Sequence, residues 1–261
     1  MTRDTVGRSA QPDTDRKLAV VPGGKRRIGY FTVMSGLLLA FVLVGFSRTF
    51  YLRPFGELSP LSGPLHVHGA VLTAWFLLLF VQALLVRSRN VRLHRRLGVA
   101  GAVVAISVVA AGSWILALRD APYVNEVPGR GFGNLMSLVA FALCVGAGIL
   151  LRRRPPAHRR LMLLGSIIIT GPALDRIARL QPLNDLSAAV LPDVLGSPEV
   201  GIAIVGTLSL ILTVLLHDLV RQRRLHLATI WGILCIFALA PAVTSVLIKS
   251  GIWPAFVRFV S

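Results

Sequence analysis

Acidic residues are scarce in this chain: 11 Asp and Glu stand against 28 Lys and Arg, and charged residues of both signs make up only 15% of 261 residues. A soluble domain of this length carries more charge and shorter apolar runs, so a soluble globular fold is excluded. Cysteine is nearly missing. Cys144 and Cys235 both lie within apolar runs, and no C-x-x-C pair exists. That excludes a disulfide framework and a cysteine-based zinc site, and the two thiols read as structural. The chain also lacks a P-loop, a G-x-S-x-G elbow, an H-E-x-x-H helix and a dinucleotide fingerprint, which removes the enzymes built on them. Basic and aromatic residues are not interleaved, so the net charge of +17 does not point to nucleic acid.

What is present is apolar sequence: 54% hydrophobic residues and a mean hydropathy of +0.72. Seven stretches are long enough to span a bilayer, at roughly 28–47, 65–86, 97–118, 134–151, 161–179, 200–220 and 228–249. Residues 28–261 therefore read as a transmembrane domain. Residues 1–27 are polar and basic and read as a disordered cytoplasmic tail. Arg26-Arg27 precedes an apolar run, but the run is long and has no cleavage site, so it is kept as the first span.

The basic residues are not evenly spread. Of the 28, 20 fall in the N-terminal tail and in 87–96, 152–160 and 221–224, which are alternate connections. This is the positive-inside pattern. It predicts an all-α polytopic bundle of seven transmembrane helices in a bacterial inner membrane, N-terminus cytoplasmic and C-terminus external. Contact with anionic lipid headgroups is expected.

A motif repeats within that frame. "RLHRRLGVAG" at 92–101, "PAHRRLMLLG" at 156–165 and the looser "QRRLHLATIW" at 222–231 place His94, His158 and His226 at the starts of the third, fifth and seventh spans. The predicted unit is a helical hairpin of about 65 residues, used three times after a lone first helix. Pro172 and Pro241 lie 14 and 15 residues after His158 and His226, inside their spans, where each favours a kink. The third span carries Gly98, Gly101 and Gly112 instead, which lets helices approach closely.

Two clusters are candidates for chemistry. At the cytoplasmic end, His94, His158, His226 and His217 are candidate haem b ligands, since two imidazoles at one depth hold the iron and neighbouring arginines hold the propionates. His217 lies clearly inside its span, and the adjacent Asp218 is placed to orient it. Against this stands a plainer reading, in which histidine and arginine at a helix start are interfacial anchors.

At the external end, "GPLHVHGAV" supplies His66 and His68, and "GPALDRIARL" supplies Asp175, Arg176 and Arg179 at the same depth. His66, His68 and Asp175 are candidate metal ligands, with Arg176 and Arg179 as pairing residues. His66 and His68 act at one centre only if the first turn is irregular, because residues two apart on a helix point roughly 200° apart. Ionisable groups within a span are functional candidates by default. The alternatives are a quinone or haem site, a proton relay, and a structural Asp175–Arg179 pair. Trp231 and Trp253 read as interface belts and Gln82 as a bond to a neighbouring helix. Lys249 ends its span at the surface, and the third span holds no internal acid, which argues against retinal.

The runs "HVHGAVLTAWFLLLFVQALLVRSRNVRLHRRLG", "AHRRLMLLGSIIITGPALDR" and "RLHLATIWG" resemble uncharacterised bacterial seven-helix membrane proteins, over roughly residues 60–250. More loosely they resemble b-type cytochrome-like membrane proteins. The closer resemblance implies no activity; the looser one implies haem. The expected function is a haem- or metal-binding redox protein, or else a non-catalytic transporter, sensor or assembly factor.

Overall fold

The computed structural model describes residues 29–56, 58–123, 131–181, 185 and 198–260. The predicted tail at 1–27 and much of the loops at 119–133 and 180–199 fall outside them. Among the described residues all regular structure is helical.

Each of the seven predicted stretches forms a helix. The first, α1, spans Tyr30–Gly45 and continues into a π-helical turn at Ser47–Tyr51. Then come α2 (Gly63–Arg87), α3 (Val91–Asp120) and α4 (Phe132–Leu150). The fifth stretch is broken into α5 (Pro155–Ile168) and α6 (Gly171–Ala178), and the sixth is α7 (Pro198–Gln222). The seventh joins α8 (Leu227–Leu234) to α9 (Ala240–Lys249) through a π-helical segment at Cys235–Leu239. Among the described residues, five stretches are single helices long and apolar enough to cross a membrane, which marks an integral membrane protein; α5 with α6 makes a sixth if the bent pair is one span, and α1 is shorter, at 16 residues.

Helix starts explain where the histidines fall. Asn90 caps α3 by accepting from the Leu93 N–H at 3.2 Å, and Pro155 opens α5, where its missing N–H costs nothing. Both helices therefore begin before the apolar run, and His94 and His158 are each the fourth residue of a helix. The third copy differs: His226 is itself the N-cap of α8, and its Nδ1 accepts from the Ala228 N–H at 3.0 Å.

The two prolines differ in effect: a bend is seen at Pro172, while the seventh stretch runs through Pro241 as one helix. The chain bends by 44° between α5 and α6, just before Pro172. Pro241 lies in the first turn of α9, directly after the π-helical segment. A proline removes one N–H and crowds the preceding turn, and the wider π geometry absorbs both.

Helix α5 is the centre of the bundle. Leu161, Leu163, Leu164, Ile167 and Ile168 are all buried, and the Trp75 indole of α2 donates to the Ser166 hydroxyl at 3.1 Å. Around it, α2 packs on α3, α4 on α5 and α9, α7 on α6, and α1 on α2, α5 and α6. The α1–α6 crossing is close: a Cβ on Gly45 would lie 2.5 Å from the Ala173 carbonyl oxygen.

One helix was not foreseen. After Gly251, in the left-handed region at φ +80°, the chain turns into α10 (Ile252–Val260). Trp253 and Val257 are buried there with Ala117 of α3 and Leu135 of α4. Trp253 is thus a packing residue, correcting its reading as an interface belt, whereas Trp231 is 57% exposed.

Candidate functional site

A cavity of about 1300 Å³ opens between the helices at the end of the bundle away from the histidine-arginine repeats. Its walls coincide with the irregular parts of the fold. Phe50 and Tyr51 come from the π-helical turn after α1, Ile169 and Pro172 from the α5–α6 break, and Phe237 from the π-helical segment of the seventh stretch. Irregular backbone at membrane depth is tolerated where it is packed in protein or lines a cavity, and it frequently marks a functional site. The depth of the cavity is apolar, with Val42, Phe76, Val108 and Ile211 among its walls.

His68, Asp175, Arg176 and Arg179, expected at one depth, all line this cavity. Helical spacing pairs Arg179 with Asp175 at 3.2 Å, the two side chains being 59% and 22% exposed. Arg176 points elsewhere, since adjacent helical residues diverge by about 100°. Its Nη1 donates to the Pro172 carbonyl at 2.9 Å, and its guanidinium lies 4.4 Å over the Phe46 ring. His68 lies against the Ala111 backbone and within electrostatic reach of Arg176. Its Nδ1 is buried with no partner, as is the Thr49 hydroxyl. Arg53 is already occupied by the Ser59 and Thr49 carbonyls, at 2.6 and 3.3 Å.

The metal-site expectation fails. Among the described residues no group of three His, Cys, Asp or Glu side chains is placed to hold a metal ion. The turn carrying His66 and His68 is ordinary α-helix, so the two rings diverge. His66 is exposed, its Nδ1 3.3 Å from the Ser62 carbonyl, while His68 faces the cavity.

The other four histidines gather at the basic end, each held by a local contact. The His94 and His158 rings lie 6.4 Å apart at 84°. His158 ties its helix to the one before it, its Nδ1 2.8 Å from the Gly148 carbonyl, and His94 lies against the Gln82 backbone. The Gln82 side-chain oxygen and the His94 Nδ1 are buried without partners, so the expected interhelical bond from that oxygen is not made. Burial, with Arg160 nearby, holds the His226 imidazole below its ordinary value, which keeps Nδ1 free to accept as a cap. His217 stacks on Tyr30 at 4.2 Å, with the edge of Phe31 at 5.3 Å.

Asp218 does not orient His217, the separation being 3.6 Å. Its carboxylate belongs to Arg160. The Arg160 Nε lies 3.0 and 3.1 Å from the two carboxylate oxygens, and Nη2 donates to Oδ1 at 2.5 Å. The Thr229 hydroxyl donates to Oδ2 at 2.5 Å and the His226 N–H at 3.2 Å. Arg160 Nη1 donates to the Pro156 carbonyl at 2.7 Å. Both charged side chains are 0% exposed. Sequence reasoning missed this network. The signal was available: Asp218 is an acid at the end of an apolar span, beside a basic connection. By contrast Arg95 and Arg96, the same positions of the first copy, are exposed.

No family model, no curated protein and no solved structure matches the chain.

Proposed function

We propose that this is a seven-span bacterial inner-membrane protein of the transporter or sensor class, whose central cavity opens to the external face and holds a small amphiphilic ligand. The observation that carries the reading is the cavity of about 1300 Å³ bordered by two π-helical segments and a broken helix. Broken spans facing a shared cavity are the arrangement from which membrane proteins build substrate sites. The arginine distribution supports a cytoplasmic N-terminus and an external C-terminus. Exposed Arg95, Arg96 and Arg152 would then meet anionic headgroups. The shared register of His94 and His158 supports a repeated hairpin, with a third copy that has drifted.

The test is thiol labelling of intact cells. In a Cys144→Ala, Cys235→Ala background, Asn134→Cys and Ser137→Cys in the cavity wall should react with a membrane-impermeant maleimide. Ala110→Cys, which is exposed outside the cavity on α3, should not. Reporter fusions after residues 90 and 156 should be cytoplasmic. Labelling of the wall positions only after the cells are opened would sink the reading.

A second reading, haem b held between His94 and His158, is supported by their rings lying 6.4 Å apart, edge to face. It requires protein purified in mild detergent to show a Soret band that shifts on reduction and is lost in His94→Ala. A colourless protein, after haem is supplied during expression, removes it.

A further inference from the structure

Among the described residues the cavity wall carries more arginine than acid. Asp175 is the acid lining the cavity, and Arg179 takes it at 3.2 Å. Arg176, one residue along, has a single hydrogen bond, to the Pro172 carbonyl, and one face against Phe46. Among the described residues its charged neighbours are Asp175 and the basic Arg179 and Arg119, with His68 also within electrostatic reach. A guanidinium in a span is costly without a counter-ion. Beside it stand two further unmet polar atoms, His68 Nδ1 and Thr49 Oγ1. Below them the walls are hydrocarbon, and the volume exceeds that of a drug-sized pocket.

We infer that the cavity binds an anionic amphiphile, its carboxylate or phosphate head on Arg176 and His68 and its apolar chain in the depth. This rests on the reading of the cavity as an externally open ligand site. Arg176 provides the planar fork that matches either head. His68, whose Nδ1 has no partner in the protein, can serve a hydroxyl of the head or a bridging water. A neutral chain of the same length would fill the depth and leave the guanidinium without its counter-ion.

The experiment uses full-length protein in nanodiscs of zwitterionic lipid. Four probes are compared: a fluorescent long-chain fatty acid, the alcohol of the same chain, an alkyl phosphate and inorganic phosphate. Wild-type protein should bind the acid or the alkyl phosphate about tenfold or more tighter than the alcohol. The stronger of the two identifies the head as carboxylate or phosphate. Arg176→Gln should abolish the preference by bringing the acid and the alkyl phosphate down to the level of the alcohol, and Arg176→Lys, which keeps the charge but not the fork, should reduce it. Arg179→Gln should retain it. Equal binding of acid, phosphate and alcohol overturns the inference, as does a preference that survives Arg176→Gln and Arg176→Lys. Inorganic phosphate binding as tightly as alkyl phosphate overturns the amphiphile. No binding of any probe, with the wall cysteines labelled from outside, overturns the ligand class and leaves the open cavity standing.

Discussion

Each end of this bundle holds an aspartate–arginine pair, and the two pairs are opposites. Arg160 and Asp218 come from residues 58 apart, join α5 to α7, and are 0% exposed. Asp175 and Arg179 sit four apart on one helix and are 22% and 59% exposed. At the basic end every charged atom is met: the carboxylate also takes a hydroxyl and a backbone N–H, and the guanidinium a carbonyl. At the other end the pair is local and solvent-screened, with Arg176 beside it and Glu199 within electrostatic reach of Arg179. A closed network fixes helices relative to one another; an open one leaves chemistry for something else to complete. The same two residue types thus hold the architecture at one end and form part of a cavity at the other.

The widest separation of the two ends should come from removing each acid in turn. Asp218→Asn strands a buried guanidinium and should cost about 3–5 kcal/mol, whereas Asp175→Asn should cost less than about 1 kcal/mol. Thermal unfolding in detergent reads both. Replacing Arg160 by Met and Asp218 by Leu together should recover most of the loss, because no buried charge is then left alone. Equal effects of the two single substitutions would dissolve the contrast.

A smaller effect is expected at Gly45, where α1 meets the half-helix that carries Asp175. A methyl there would press on the Ala173 backbone, which does not give as a side-chain tip does. Gly45→Ala should lose about 1–3 kcal/mol. It should also change maleimide labelling in the cavity wall, while Gly146→Ala, with open space at its Cβ, should leave labelling unaltered.

The smallest effect concerns acid. His226 is held below its ordinary value in the folded protein, so the unfolded chain binds the proton more readily. Its contribution is complete above the ordinary imidazole range and is lost as the pH falls through the depressed folded value. His226→Asn keeps a cap acceptor and removes the titration. The variant should lose less of its melting temperature than wild type between neutral and mildly acidic pH. A loss as large as that of wild type would assign the acid sensitivity elsewhere.

The helices were legible because apolar length is a property of consecutive residues. So was the break at Pro172, since a missing N–H disturbs its own turn. The pairing of Arg160 with Asp218 was not, because only packing decides which of many arginines reaches the acid. The cavity was not legible either: Val42 and Phe237 look like any other apolar residues until the helices are set apart around them. Helix α10 escaped because nine residues are too few to register as a span. His66 and His68 could share a centre only if the first turn were irregular, and the regular helix that forms points them apart.

The buried pair also sets an order for biosynthesis. Arg160 leaves the ribosome 58 residues before Asp218. At about 5–20 residues per second the interval is roughly 3–12 s. During that time the fifth segment has its arginine and no acid to receive it. The guanidinium must wait among headgroups, so α5 cannot settle at its final depth until α7 arrives. Thr229 and the His226 amide follow Asp218 by only 11 and 8 residues. Insertion of the first five segments is therefore provisional, and the seventh locks it. A chain truncated after Gln222 would carry the pair but lack both Thr229 and His226, and a chain truncated before α7 would leave the arginine exposed to quality-control proteases.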